Sequence, residues 1–315
     1  MQGTLNYLDA SIAPSLRRNG AVLTRRDADG SDAGTEGVVV DKRTLVIEDA
    51  RAGDATLVAN GFELRADAAP AVDFLSTAAV LRDYYEPCEA LVRDHTGASV
   101  VHAFDHNVRS ASAKASGQRV ADGQQVQAPA HIVHGDYTLT GAPERLSQLA
   151  RPPSGNDTYA PRLAPGQALV DAELAAAAVA GEVRFAIINV WRNIDSKPVA
   201  TRPLALCDAR TVAPEDLVVF EIHYADRVGE NYFARHAPGH AWYSYPALTR
   251  DEALLIKQWD SAGELARTGG ARGDAAAAAD APCSFSFHSA YRDPAAPDDA
   301  PDRWSIEVRT IALWS

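Results

Sequence analysis

Cysteines and long apolar runs are scarce in this chain, and each shortage excludes a class of protein. The 3 cysteines among 315 residues are Cys88, Cys207 and Cys283. An odd, scattered set without CxxC spacing predicts neither a disulfide framework nor a zinc site. No run of about 18 apolar residues is present, which argues against a transmembrane helix. The first residues lack the basic and apolar regions of a signal peptide. We therefore expect a soluble, cytoplasmic protein.

Positive charge is also in short supply. The chain has 30 Lys and Arg residues against 42 Asp and Glu residues, which gives a formal net charge of −12 at pH 7. Nucleic acids and anionic membranes repel such a surface, so we expect neither as a partner. The composition carries no information about the oligomeric state.

The length and the 46% hydrophobic content are enough for one large core. We expect a single domain over residues 1–315. Within it, a helix and strand region at 1–98 packs on a β-rich core at 99–315.

Short runs of β-branched and aromatic residues dominate the second half of the chain, and the strongest predicted strand lies at 182–191. Further strands are expected at 217–224, 241–245, 253–259, 283–288 and 303–313. Apolar residues at helical spacing predict a mostly helical segment at 73–93, which Pro87 should kink or break. Residues 261–281 are rich in Gly, Ala and Asp, and we expect a surface loop there. The pattern predicts a mainly β fold, a sandwich or barrel, with flanking helices.

One short motif suggests a metal site. In a β-strand, residues two apart point to the same face, so His134 and Asp136 would project side by side. Together they form two-thirds of a 2-His-1-carboxylate site, which holds Fe(II) and leaves positions open for substrate and O₂. Chance alone predicts about one His-x-Asp or His-x-Glu match in a chain with 9 His and 42 acidic residues. The interpretation of this motif as a metal site therefore requires further candidate ligands elsewhere in the chain.

A second imidazole ligand must come from a distant strand. The candidates after residue 136 are His223, His236, His240 and His288. We favour His288 because Arg303 follows it by fifteen residues, with Ser305 on the same strand face. An Fe(II) oxygenase that uses 2-oxoglutarate needs an anchor for the distal carboxylate of that co-substrate. An arginine grips a carboxylate with two parallel hydrogen bonds, and a serine hydroxyl adds a third.

Arg303 also has an ordinary interpretation, an edge-strand charge paired with Glu307. Arg309 shares its strand face and is the reserve candidate for the co-substrate anchor. Asn189 either bonds the 2-oxoglutarate carboxylate or caps the end of a strand. The remaining candidates for contact with substrate are Arg192, Trp191, His106, Arg109 and Tyr137. Of these, Arg192 can instead form a surface ion pair, and His106 can be a structural histidine.

The chain resembles a hydroxylase/desaturase family that includes the cephem 7α-methoxylation component of cephamycin biosynthesis and fungal gibberellin desaturase. The resembling segments lie at 104–109, 134–138, 188–192, 203–208, 242–243, 254–257 and 305–309. They extend over about two-thirds of the chain. The sequence departs from the expected pattern at Asn107 and Asn193, and 269–280 resembles an unshared insertion.

The resemblance implies a double-stranded β-helix, that is, a jelly-roll, cupin-like barrel, acting as a single catalytic domain. It also implies Fe(II), 2-oxoglutarate and O₂, and the hydroxylation, desaturation or oxidative cyclisation of a small metabolite. No catalytic residue beyond the metal centre is expected. Two other functions stay open. A cupin-type metal enzyme would need the metal ligands but not Arg303, and a non-catalytic β-barrel would bind a small molecule with purely structural histidines.

Overall fold

The computed structural model describes residues 1–26, 32–121, 123–154, 157–224, 227–297 and 299–315. The strands are β1 (Gln2–Leu8), β2 (Leu23–Arg26), β3 (Asp32–Glu36), β4 (Val40–Val46), β5 (Glu48–Asp49), β6 (Phe62–Ala66), β7 (Val100–Arg109), β8 (His134–Gly135), β9 (Arg184–Asn193), β10 (Leu204–Cys207), β11 (Leu217–His223), β12 (Val228–Ala234), β13 (Trp242–Ser244), β14 (Glu252–Asp260), β15 (His288–Ala290) and β16 (Ser305–Trp314). The α-helices are α1 (Thr77–Asp83), α2 (Tyr85–Thr96), α3 (Ala111–Ala115), α4 (Gly141–Leu149), α5 (Ala172–Val179) and α6 (Glu264–Arg267).

Two sheets form the body of the protein. Over the described residues, one sheet has the strand order β3-β2-β11-β12-β8-β15-β10-β13-β5 and the other has the order β6-β14-β9-β16-β7. Neighbouring strands are antiparallel except for the pairs β2–β11 and β5–β13. The main hydrophobic core takes residues from both sheets, as expected of a sandwich. The sheets do not join into the closed barrel that was expected, because no end strand of one is hydrogen-bonded to the other within the described ranges.

The central strand β9 shows how the smaller sheet is covered on both faces. Nine of its ten residues are buried. Asn189 faces the larger sheet, where its side-chain amide contacts Asp136. Arg192, an odd number of positions away, points to the opposite face and donates to the hydroxyl of Tyr84 beside the helices. Helix α2 packs on this outer face against β7, β16 and β9.

The predicted helix at 73–93 is present as two helices that meet at Tyr84. The break comes three residues before Pro87, which lies in the first turn of α2. Proline has no N–H to donate to the carbonyl of Asp83, four residues back, so α1 ends there. Within the first turn of a new helix, the same missing donor costs little.

Two further expectations were wrong. Strand β15 contains only the end of the predicted strand at 283–288, because the backbone N–H of Ser284 bonds the Asp274 carboxylate instead of a neighbouring strand. Residues 261–281 are not simply a surface loop. Asp274 is buried and also accepts from the backbone N–H of Glu264, and Leu265 belongs to the core.

No helix in the described part of the chain is long and apolar enough to cross a membrane.

We predict that the chain folds as one unit, with no independently stable half. The region 1–98 supplies β2 and β5 to the larger sheet and β6 to the smaller one. Separation would expose strand edges and the apolar face of α2. Unfolding in guanidinium chloride, followed by both tryptophan fluorescence and circular dichroism, should show one coincident transition. A stably folded 1–125 fragment would contradict this.

Candidate metal centre

Two histidines from adjacent strands meet on the larger sheet. Strand β8 is only two residues long and lies between β12 and β15. His134 on β8 is paired in register with His288 on β15, and the ring centroids are 4.3 Å apart. Hydrogen bonding in the sheet therefore brings together two residues that are far apart in sequence.

The orientation of His134 is set by the backbone. Its Nδ1 lies 2.8 Å from the carbonyl oxygen of Ile132, which can only accept, so Nδ1 carries the proton. The Nε2 lone pair is then free, and this atom lies 3.6 Å from Oδ1 of Asp136. One ligand atom each from His134, Asp136 and His288 can be chosen so that all lie within 4.8 Å of one another. A backbone bond to the second imidazole nitrogen is typical of metal-binding histidines.

The carboxylate of Asp136 is held from the opposite sheet. Its Oδ2 accepts from Nδ2 of Asn189 at 3.0 Å and from Nε of Arg309 at 3.3 Å. Its backbone N–H donates to Oε1 of Gln258 at 3.0 Å. These contacts leave Oδ1 directed at His134, as a carboxylate that ligates through one oxygen requires.

The three side chains have the protonation states that a metal site needs. Burial, together with the nearby His288, lowers the pKa of His134 to about 4. Burial also lowers the pKa of His288. For Asp136, burial raises the pKa, but the charge of Arg309, with those that His288 and His134 acquire when they are protonated in acid, outweighs it, and the pKa lies well below its usual range. At neutral pH the set offers two neutral imidazoles and one carboxylate, without a prior loss of protons.

The surroundings of this cluster fit a ligand of many polar atoms. Buried polar atoms are nearly always hydrogen-bonded in folded proteins. Within the described residues, the following buried atoms near the sheet interior have no such partner: Asn189 Oδ1, Gln258 Nε2, His288 Nδ1, Arg303 Nε and Ser305 Oγ. Two nitrogens and one carboxylate oxygen are the donor set of the facial Fe(II) sites, and the unpartnered atoms of Asn189 and Gln258, whose side chains both bond Asp136, match a polar co-ligand beside such an ion.

Arg303 and Arg309 differ in how their charges are compensated. Arg303 is 2% exposed and its guanidinium lies over the ring of Trp191, 5.5 Å from the centroid. It donates to the carbonyl of Arg202 but forms no ion pair with a described carboxylate, so the pairing with Glu307 is not seen. Burial and the nearby Arg109 lower the pKa of Arg303 to about 9. Arg303 therefore has the capacity to bind an anion.

Arg309, by contrast, is already surrounded by acids. Its guanidinium contacts Asp105 at 2.8 Å, Asp136 at 3.3 Å and Glu307 at 3.4 Å. Its charge is therefore already compensated, in part by Asp136, in contrast to the charge of Arg303. Tyr137 lies close by, and burial raises the pKa of its phenol to about 12.

Two of the predicted substrate residues are not brought to this site. Arg192 is on the outer face of the smaller sheet, bonded to Tyr84 and to Asp67. His106 also faces outward, and its Nδ1 lies 2.9 Å from the hydroxyl of Tyr85 on α2. Strand alternation instead turns Arg109 inward, and Trp191 faces inward beneath Arg303.

Two of the three remaining histidine candidates have carboxylate partners, and the third, His236, has its ring against Tyr7. His223 lies 2.9 Å from a carboxylate oxygen of Glu221, and His240 lies 3.1 Å from Asp216.

Gln258 was missed in the sequence, where it stands between charged and aromatic residues without a distinctive spacing. The register of β14 against β9 shifts between Lys257 and Trp259, and such a bulge re-aims a side chain.

Comparisons with known proteins agree with this chemistry. A family model described as the YDMC, oxidoreductase/YMDC permease-like domain matches residues 5–313. An uncharacterized protein in the dcmA 3′ region of Methylophilus leisingeri is 44% identical over 195 residues, which is 61% of this chain and 89% of that one. The Fe(II)/2-oxoglutarate-dependent dioxygenase nvfI of Aspergillus novofumigatus is 31% identical, covering 75% of this chain and 68% of its own. The hydroxylase/desaturase poxK of Penicillium oxalicum is 29% identical, covering 78% and 69%.

A solved structure has the same fold. The iron and alpha-ketoglutarate-dependent endoperoxidase NvfI superposes with a TM-score of 0.71 at 22% identity, over 100% of this chain and 98% of that one. The predicted fold class, mainly β with flanking helices, is therefore confirmed, although the two sheets do not close. The resemblance to hydroxylases and desaturases is confirmed by the names of the relatives.

We predict that Asp136→Ala weakens metal binding by more than about 100-fold, because it removes the anionic ligand. His288→Ala should have a similar effect. Calorimetric titration of the metal-free protein with Mn(II) measures both, and circular dichroism checks the fold. His223→Ala is the matched control, since this imidazole pairs with Glu221 away from the cluster. If His288→Ala binds Mn(II) with wild-type affinity, the third metal ligand is a residue other than His288.

Removal of a hydrogen bond that positions Asp136 should reduce metal affinity less than removal of Asp136 itself. Asn189→Ala deletes one of the two hydrogen bonds to Oδ2, and we expect Mn(II) affinity to fall by roughly 10–100-fold. Asn60→Ala is the control, because this buried amide bonds Asp208 instead. If both variants keep wild-type metal affinity while remaining folded, Asn189 does not position the ligand.

Proposed function

The chain belongs to the YDMC, oxidoreductase/YMDC permease-like domain family, and it is related to Fe(II)/2-oxoglutarate-dependent dioxygenases. We therefore propose that it oxidises a small metabolite with Fe(II), 2-oxoglutarate and O₂. The reaction class is hydroxylation, desaturation or oxidative cyclisation, as in natural-product biosynthesis. The chain acts as a single catalytic domain over residues 1–315.

One observation carries the proposal. A set of two imidazoles and one carboxylate lies on one sheet, and the facing sheet presents buried polar atoms that lack partners. Ferrous ion bound with 2-oxoglutarate and O₂ supplies the oxidising chemistry, which no side chain of the protein can supply. The contributions of the protein are to hold the ion, orient the co-substrate and keep water out.

Each residue has a defined task. His134, Asp136 and His288 would hold the ion. Asn189 and Arg309 hold Oδ2 of Asp136 so that Oδ1 remains the ligating atom. These two residues thus act on the metal ligand rather than directly on 2-oxoglutarate.

Arg303 binds the distal carboxylate of 2-oxoglutarate, assisted by the hydroxyl of Ser305. Support comes from its burial, from its lack of a described carboxylate partner and from the unpartnered hydroxyl. The ring of Trp191 beneath the guanidinium limits its motion and excludes water, which strengthens a charge-assisted bond. A cupin-type enzyme without 2-oxoglutarate would have no use for this uncompensated charge.

We predict that Arg303→Ala raises the apparent KM for 2-oxoglutarate by roughly two to four orders of magnitude, because loss of one partner of a buried charge pair costs about 3–5 kcal/mol. Arg303→Lys should recover only part of this loss, since an ammonium group cannot make the planar two-bond contact. Succinate release measures both variants, and Arg65→Ala on the exposed side of β6 is the surface control.

Arg309→Ala gives the complementary result. Its main effect should be on metal affinity, because it supports Asp136. If Arg309→Ala is the variant that fails to saturate with 2-oxoglutarate, the anchor is Arg309 and the assignment of Arg303 is wrong. If neither variant changes 2-oxoglutarate dependence, the cupin-type alternative replaces the proposal.

A further inference from the structure

The inward face of the smaller sheet is divided into an apolar and a polar half. Residues paired in register across neighbouring strands share a face. Two such rows cross β9, β16 and β7: Asn189–Arg309–Asp105 and Asn193–Ser305–Arg109. On the other side of β9, Asn189 is paired with Ile256 of β14, which in turn is paired with Phe62 of β6. The polar half is thus formed by β16, β7 and the residues Asn189 and Asn193 of β9, and the apolar half lies on β14 and β6.

Arg109 ends one of these rows on β7, the edge strand of the sheet. Its side chain is only partly buried, unlike that of Arg303. Its single described side-chain hydrogen bond runs from Nη1 to the carbonyl of Ala128, at 2.9 Å. No described carboxylate forms an ion pair with it, although Asp105 and Glu307 are near, because both of these bind Arg309. Arg109 therefore has an incompletely satisfied guanidinium at the edge of the polar half.

The atoms of Arg109 that remain free suit a particular ligand. With Nη1 used by Ala128, the Nε and Nη2 atoms are left on one side of the guanidinium. A carboxylate binds this side with two parallel hydrogen bonds. Burial lowers the pKa of Arg109, which indicates a partly desolvated charge for which an anion would compensate.

A single carboxylate carries one negative charge and cannot neutralise the charges of both Arg109 and Arg303. Arg109 and Arg303 lie close enough for the charge of one to lower the pKa of the other. Arg303 is buried over Trp191, whereas Arg109 lies on β7, the edge strand of the sheet. If the distal carboxylate of 2-oxoglutarate occupies Arg303, Arg109 still lacks a partner.

We propose that Arg109 binds a carboxylate of the primary substrate, so that the substrate class is a small carboxylic acid whose remaining part extends along the polar half toward the metal. This rests on the proposed function, which assigns the other anion to 2-oxoglutarate. Asp105 and Arg309, which form an ion pair with each other, make the lining of this path polar rather than hydrocarbon.

The test uses protein loaded with Mn(II) and saturated with 2-oxoglutarate, so that Arg303 is occupied. The probe is benzoate, with benzamide as its uncharged counterpart. Mn(II) is paramagnetic and shortens the proton relaxation times of any probe bound near it. We expect enhanced relaxation for benzoate and little for benzamide. Arg109→Gln should weaken benzoate binding by about tenfold or more, and Arg109→Lys by less.

Control measurements separate this proposal from the one on which it rests. Arg65→Gln should bind benzoate as the wild type does. Absence of benzoate binding in the wild type, equal binding of benzamide, or unchanged binding in Arg109→Gln would each overturn the proposal. Weaker binding of 2-oxoglutarate in Arg109→Gln would assign Arg109 to the co-substrate and also overturn it, while the proposed function stands.

Failure of the proposed function has a different signature. In that case the wild-type protein with Fe(II) shows no visible charge-transfer band on addition of 2-oxoglutarate. Benzoate binding to the Mn(II)-loaded protein then reports on Arg109 alone, and its loss in Arg109→Gln still supports an anion site there.

Discussion

The candidate site depends on a hydrogen-bonded contact between the two sheets at Asp136. Strand β8 contributes His134 but ends before the carboxylate, so the larger sheet alone does not orient Asp136. The smaller sheet orients it through Asn189 on β9 and Arg309 on β16. Because the ligand belongs to one sheet and its hydrogen-bond donors to the other, the geometry of the site requires that both sheets are assembled. Burial of apolar residues between the sheets is what keeps these donors in place.

Charge compensation divides the arginines of the interior into two groups. Arg309 is surrounded by three carboxylates and stabilises them, as the lowered pKa of Asp136 indicates. Arg303 and Arg109 have backbone carbonyl partners but no described ion pair. A desolvated guanidinium without an anion is costly, more so for the buried Arg303 than for the partly buried Arg109, and a ligand can provide the counter-charge. On this basis we propose separate roles, in which Arg309 supports the metal ligand and the two arginines without an ion pair recognise ligands.

Part of the fold could be predicted from local patterns. The strand β9 was found within two residues of its ends, because its β-branched and aromatic residues are buried on both faces. The break between α1 and α2 was expected near Pro87, but its position at Tyr84 follows from the hydrogen bond that proline cannot make. The buried segment around Asp274 was mistaken for a loop, because Gly, Ala and Asp are typical of loops and a buried carboxylate that binds backbone N–H groups has no sequence signature.

The sequence by itself determined which chemistry was available: a His-x-Asp pair with i, i+2 geometry, a later histidine, and an Arg-x-Ser pair fifteen residues beyond it. Such spacings are local, and strand geometry converts them directly into side-chain directions. Only the tertiary structure decided which candidates meet. Asn189 and Arg192 are three residues apart on one strand, yet one reaches Asp136 and the other a tyrosine beside the helices. Which face of a strand is covered by a helix and which by a sheet depends on contacts distant in sequence, so no local pattern determines it.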